Sequence, residues 1–244
     1  MTVIASTQNP RLKALRRLQT RRGRAAAGAF LAEGEDLVAA AERAGRRPLE
    51  GFRLAGTGLG GEGFLDVEAP ALGEVSTLGS STRLIGVYRQ CWVPATGPLC
   101  VYLHGVSDPG NVGTVLRSAA AFGASCVALG PRCADPHSPK AVRASMGAIF
   151  AVALARVGSI AELPGERIAL AADAPETLAG PAANDGAAYT LLVGAEREGL
   201  PEDVMARCER RARIPIASES LNAAMAATVA LYEMTRGPSR VPAS

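Results

Sequence analysis

Three short stretches hold the polar residues whose types and spacing suit chemistry. In DPGNVGTVLRSAAAFG (108–123), Asn111, Gly113 and Arg117 interrupt an otherwise apolar helix. Gly113 and Arg117 stand four apart on one helical face, so no bulky side chain sits in front of the guanidinium on its N-terminal side. Asp108, Pro109 and Gly110 read as a tight turn, and Asn111 as the N-cap. Alone, the stretch has two readings: a capped core helix with a solvated arginine, or an Asn and an Arg presented to a ligand. In LLVGAEREGLP (191–201), Gly194 and Gly199 bracket Glu196 after an apolar run, which lets a ligand approach backbone beside a carboxylate. In IPIASESLNAAMAATVALYE (214–233), Ile214 and Pro215 close a strand. Ser220 and Asn222 follow at a helix start, where free N–H groups face outward, and the alanine-rich helix beyond them can pack closely.

The elements around these stretches alternate in a regular way. Strands are expected at 99–103, 126–130, 167–172, 190–194 and 212–216, with helices near 111–123, 138–147, 201–209 and 219–235. Short, doubly apolar strands alternating with helices predict an α/β fold with a parallel sheet covered on both faces. Ligands of such sheets gather at the carboxyl ends of the strands, here the loops after Leu103, Gly130, Gly194 and Ile216. The Pro-Gly-rich VPATGP segment marks a boundary near residue 95, giving domains of 1–95 and 96–244. In the first domain a helix is expected over 8–22, another over 35–44, and strands at LEGFRLAG, GFLDVEA and RLIGVYRQ.

Charge is uneven although the net value is only +3. Arg11, Lys13, Arg16, Arg17, Arg21, Arg22 and Arg24 cluster with no acid in the first 32 residues, a pattern that suits a phosphate backbone. Aromatic content of 4% gives little for base stacking, so backbone contacts are favoured. Gly56–Gly61 satisfies G-x-G-x-x-G, but extended chain follows it where a dinucleotide site needs a helix, so it reads as a surface loop. Five scattered cysteines (Cys91, Cys100, Cys126, Cys133, Cys208) lack metal-ligand spacing and read as free thiols, with no metal expected. No apolar run reaches membrane-span length and the start lacks the apolar core of a secretory signal, which implies a cytoplasmic protein without membrane contact.

In this order, the three stretches resemble the motifs of the SPOUT-class RNA 2′-O-ribose methyltransferases of the SpoU/TrmH type. N-x-G-x-x-x-R is matched by Asn111, Gly113 and Arg117, and G-x-E-x-x-G by Gly194, Glu196 and Gly199. The third motif, I-P…S-L-N, is matched by Ile214, Pro215, Ser220, Leu221 and Asn222. The likeness spans nearly all of 99–236, and STQNPRLKALRRL with GAFLAEGEDLVAAA looks like the small RNA-binding domain, similar to a ribosomal-protein fold, that precedes the catalytic domain in many members. His104 stands where members often carry an acid, and the IASE spacer before Ser220 is short, which bears on the floor of the cofactor pocket.

The resemblance implies a C-terminal SPOUT domain closed by a deep trefoil knot. It implies S-adenosyl-L-methionine held by backbone around Gly194, Ala195, Glu196, Ile214, Ile216 and Leu221. Arg117, Asn111, Glu196, Ser220 and Asn222 are implied as the catalytic set: Arg117 orients a substrate phosphate and steadies the developing alkoxide, Asn111 fixes the guanidinium, and Glu196 holds Asn111 or Arg117. The implied activity is ribose 2′-O-methylation of ribosomal (23S) RNA by a homodimer, with transfer RNA or a non-catalytic knotted RNA-binding protein as the alternatives. Housekeeping modification and antibiotic resistance are both compatible with it.

Overall fold

A computed structural model describes residues 3–78, 82–178, 187–217 and 221–236. Its contacts divide into two units, Met1–Gln90 with Asp135–Ala151, and Cys91–Ala134 with Val152–Ser244. A single cut near residue 95 misses this division, because a segment following a strand of the second unit packs within the first.

The first unit opens with α1 (Pro10–Leu18), whose start is set by Pro10 at its first position and by Asn9, whose side chain accepts from the Arg11 N–H at 2.9 Å. Leu12, Leu15 and Leu18 form its buried stripe. The single helix expected over 8–22 is two: Thr20 caps a second helix, α2 (Arg21–Ala27), by accepting from the Gly23 N–H at 3.0 Å. Glycine is required at 23, since a Cβ there would lie 1.8 Å from the Arg17 carbonyl oxygen. β1 (Ala29–Glu33), α3 (Glu35–Arg43), β2 (Glu50–Leu54), β3 (Phe64–Val67), α4 (Ala69–Val75) and β4 (Leu84–Arg89) follow. The strands order as β1-β4-β2-β3, antiparallel except for the β2–β3 pair. Leu12, Leu15, Leu31, Phe52, Leu72 and Ile85 fill the core, each burial contributing about 1.5–3 kcal/mol. The Gly56–Gly61 loop connects β2 to β3 as turns and starts no helix.

A buried polar cluster in this unit joins residues far apart in the chain. Arg24, 3% exposed, donates to the carbonyls of Leu18 (2.9 Å) and Gln19 (2.8 Å), and its Nε and Nη2 reach Asp135 Oδ2 at 2.9 and 2.7 Å. Asp135 Oδ1 accepts from the His137 backbone N–H at 3.0 Å, and the His137 ring lies 4.7 Å from that of Phe30. Of the basic residues singled out above, then, Arg24 is structural. Arg11 and Arg16 pair with Glu50 and Glu74, while Lys13, Arg17, Arg21 and Arg22 are exposed.

The second unit is a seven-stranded, all-parallel sheet. Its elements are β5 (Leu99–Leu103), α5 (Pro109–Ala121), β6 (Cys126–Leu129), β7 (Ala153–Arg156), β8 (Glu166–Leu170), β9 (Glu176–Thr177), β10 (Tyr189–Val193), α7 (Glu202–Met205), β11 (Arg210–Arg213) and α8 (Ala223–Thr235), while α6 (Pro139–Ala144) belongs to the first unit. The strand order is β7-β6-β5-β10-β8-β11-β9. Every residue of β5, β6 and β10 is buried, as a sheet covered on both faces requires. β7 and β9 were not foreseen: four and two residues are too short to display a period. The strand expected at 212–216 ends instead at Arg213, because Pro215 has no N–H to donate to a ladder. On α5 and α8, Ser118 Oγ and Thr228 Oγ1 meet at 2.6 Å, and the rings of Phe122 and Tyr232 contact edge to face. Among the described residues no helix is long and apolar enough to cross a membrane.

Candidate active site

The carboxyl ends of β8, β10 and β11 border a cavity of about 470 Å³. Gly194, Ala195, Glu196, Ile214, Ile216 and Leu221 all line it, so the structure brings the six sequence-derived cofactor positions to one place. Leu170, Ala171 and Ala172 also line it, after a strand whose place beside β10 could not be read from the chain order. Arg213 adds a brace, since its Nη1 donates to the Ala174 carbonyl at 2.6 Å and so ties the end of β11 to the loop after β8.

Gly194 fixes the shape of one wall. A Cβ there would lie 2.1 Å from the carbonyl carbon of Gly199 and 2.4 Å from the Leu200 nitrogen, so the chain folds back onto itself only with glycine. Ala195 and Gly199 exchange backbone hydrogen bonds of 3.2 and 2.9 Å across the resulting turn. Glu196 sits on that turn facing the cavity.

A relay of side-chain amides runs from Glu196 across the helix starts. Asn111 Nδ2 donates to Glu196 Oε1, and Asn222 Nδ2 donates to Asn111 Oδ1 at 3.2 Å. Asn222 is also the N-cap of α8, its Oδ1 accepting from the N–H groups of Ala224 (3.0 Å) and Met225 (3.3 Å). Asn111, by contrast, is not the cap of α5. Asp108 is, accepting from the Asn111 N–H at 3.0 Å, and the helix begins at Pro109. The side chain of Asn111 is thereby released to bridge Glu196 and Asn222.

Arg117 is exposed and makes no hydrogen bond or ion pair with any described residue, whereas Gly113 is buried. The expected hold of Asn111 on the guanidinium is therefore absent: two residues six apart lie on different faces of α5, and the amide is already engaged. Ser220 lies outside the described residues. His104 is buried at the end of β5, with Nδ1 2.9 Å from the Tyr102 hydroxyl. Burial first, and then the Arg132 charge, push its imidazole below its ordinary pKa, against the pull of Asp203. His137 belongs to the buried cluster of the first unit.

The sequence profile of the SpoU rRNA Methylase family matches residues 98–232, more than half of the chain. The chain belongs to that family. With it goes the coarse activity, RNA methyltransfer. An MRM3-like substrate binding domain matches residues 9–55. Among full-length relatives, an uncharacterised tRNA/rRNA methyltransferase of Synechocystis is 30% identical, over 96% of this chain and 93% of the relative. The 23S rRNA (guanosine(2553)-2′-O)-methyltransferase of Bacillus subtilis is 28% identical, over 96% and 99%. The crystal structure of an AdoMet-bound rRNA methyltransferase from Sinorhizobium meliloti is 29% identical, covers 96% of this chain and 97% of its own, and superposes with a TM-score of 0.84. Other curated relatives are longer, and the chain spans about half of their length.

Proposed function

We propose that this SpoU-family protein is an S-adenosylmethionine-dependent RNA 2′-O-ribose methyltransferase that acts on ribosomal RNA. The observation that carries the reading is the hydrogen-bonded run Glu196–Asn111–Asn222, which joins all three motif stretches at the edge of one cavity and leaves Arg117 exposed on the same helix as Asn111. Ribosomal RNA is favoured over transfer RNA by the named Bacillus subtilis relative, similar over nearly its whole length.

The cavity suits the cofactor in size and lining. About 470 Å³ falls within the roughly 300–1,000 Å³ of small-molecule sites. Glycine and alanine leave backbone N–H and C=O groups at the wall, while Ile214, Ile216 and Leu221 supply apolar contact. When bound, S-adenosylmethionine supplies a methyl group on a sulfonium sulfur.

The protein's own part is to place a ribose 2′-hydroxyl and steady the charge that grows on its oxygen. Arg117 does this without acting as a base, since a guanidinium holds its proton. It offers planar donors to a substrate phosphate and to the 2′-oxygen as the proton leaves to solvent. Glu196 and Asn222 orient Asn111, whose amide fixes the wall of the substrate space, and proximity supplies much of the rate. Ser220 is assigned to the same catalytic set on the motif alone. Lys13, Arg17, Arg21 and Arg22 give the first unit its phosphate-facing charge.

Two architectural features belong to this reading. A trefoil knot is supported by the insertion of β10 between β5 and β8, two strands that precede it in the chain. A homodimer is supported by Met225, Val229 and Tyr232, exposed apolar side chains at helical spacing along α8.

The test is methyl transfer from labelled S-adenosylmethionine to ribosomal and transfer RNA, with ribose methylation mapped on the product. Arg117→Lys is expected to lose about 100-fold in kcat while cofactor affinity holds. Full activity in the lysine variant would remove the planar-donor role. Cofactor binding without transfer to any RNA would support a non-catalytic RNA-binding protein instead.

A further inference from the structure

A second cavity, of about 420 Å³, shares Ala195 and Glu196 with the first. Gly105, Ser107, Arg132, Arg197 and Glu198 complete its lining, drawn from the loops after β5, β6 and β10. These loops are stitched together. Gly105 N–H donates to the Pro131 carbonyl at 3.0 Å, Ala134 N–H to that of Val106 at 2.9 Å, and the Cys133 thiol to that of Leu103 at 3.1 Å.

Within this frame Arg132 adopts φ of +60°, a conformation that residues other than glycine rarely take. Its side chain is 64% exposed and faces Glu198, itself 73% exposed, at 3.6 Å. An ion pair that long and that wet is weak and readily exchanged for a better anion. Arg197, on the tip of the Ala195–Gly199 turn, is exposed and makes no ion pair with any described residue. Asn111 donates to Glu196 Oε1 and so fixes that carboxylate at the edge shared with the first cavity.

We propose that this second cavity grips the RNA backbone beside the methylated ribose. Arg132 and Arg197 take one phosphodiester, Ser107 donates a hydrogen bond to it, and Glu198 holds Arg132 until the phosphate displaces it. Two guanidinium forks on braced loops suit the tetrahedral oxygens of a phosphate. Among the described residues no aromatic side chain lines the cavity, which argues for backbone and against a stacked base. The inference rests on the RNA-methyltransferase reading and adds to it a contact outside the three motifs.

Steady-state methylation of ribosomal RNA by the full chain tests it, with Arg132→Asn, Arg197→Gln and Glu198→Gln. Asparagine tolerates the left-handed backbone at 132, so the cation is removed without disturbing the loop. The expected result is a KM for RNA raised about tenfold in the first two variants, with kcat and the cofactor Kd within about twofold and a salt dependence of KM reduced by about one phosphate contact. Glu198→Gln is expected to lower that KM by about two- to threefold, because the competitor for Arg132 is gone. Unchanged KM in both arginine variants overturns the proposal. So does a Glu198→Gln variant that loses affinity as Arg132→Asn does, since the pair would then be structural. If the protein transfers no methyl group to RNA, the underlying reading fails separately, and RNA affinity measured by filter binding on the same variants still decides the grip.

Discussion

Asn222 Nδ2 donates to Asn111 Oδ1 at 3.2 Å while its own Oδ1 caps α8, so one side chain starts a helix and orients a neighbouring motif. The two tasks use different atoms and can be separated. Asn222→Asp keeps a good N-cap but replaces the donor with an acceptor. The variant is expected to unfold within about 0.5 kcal/mol of the wild type and to lose about tenfold in kcat/KM, the worth of one hydrogen bond of about 1–2 kcal/mol. Thermal melts and initial rates on one preparation check both halves; unchanged kcat/KM would show that the Asn111 orientation does not matter.

Gly194→Ala tests the wall of the first cavity. The new Cβ meets main-chain atoms of Gly199 and Leu200, which cannot swing away as a flexible side chain would. A loss of about 1–3 kcal/mol in stability is expected, with a larger proportional loss of S-adenosylmethionine affinity by calorimetry. Wild-type affinity in this variant would place the cofactor elsewhere.

Asp135 gives the first unit a pH dependence of defined sign. Burial alone would raise its carboxyl, but hydrogen bonds from His137 and Arg24 outweigh it and hold the group well below the usual carboxylate range. Its contribution is therefore complete above the unfolded value of about 3.9 and fades as pH falls through the lower folded value. Asp135→Asn leaves the Arg24 charge buried beside a neutral amide, which costs about 3–5 kcal/mol at pH 7. Denaturant titrations at pH 7 and pH 3 are expected to show the gap between the two proteins narrowing, without closing, at the lower pH, which lies below the unfolded value but above the folded one; a constant gap would assign the loss to packing.

The exposed side chains on α8 make an equally direct case. Met225 is 64% exposed, Val229 38% and Tyr232 51%. Under the proposed dimer, a Val229→Glu protein is expected to sediment as a monomer at concentrations where the wild type sediments as a dimer, with its thermal midpoint lower only through loss of that contact. A wild type that is monomeric throughout removes the dimer.

Much of the second unit was legible because its strands are continuous apolar runs bounded by glycine and proline, and their burial on both faces leaves little room for another reading. β5 and β10 lie within a residue of where the runs place them. Sheet order was not legible. Nothing local in the sequence places β10 between β5 and β8, so the Leu170–Ala172 side of the cavity went unseen. The same limit explains the capping error at α5. Asp108 and Asn111 are both good caps, and the choice falls to Asp108 because Asn111 Oδ1, the atom that would cap, accepts from Asn222, 111 residues away, while Glu196 holds its Nδ2. Likewise the basic run looked uniform until Arg24 found its partner far along the chain.

That partnership orders the birth of the molecule. Arg24 emerges 111 residues before Asp135, which at about 5–20 residues per second leaves its guanidinium waiting roughly 6–22 s for a carboxylate. The first unit therefore cannot finish first, as N-terminal domains commonly do. Its last buried contact arrives only after β5, α5 and β6 have been synthesised, so a ribosome stalled before residue 135 would hold an unfinished first unit alongside the opening strands of the catalytic sheet.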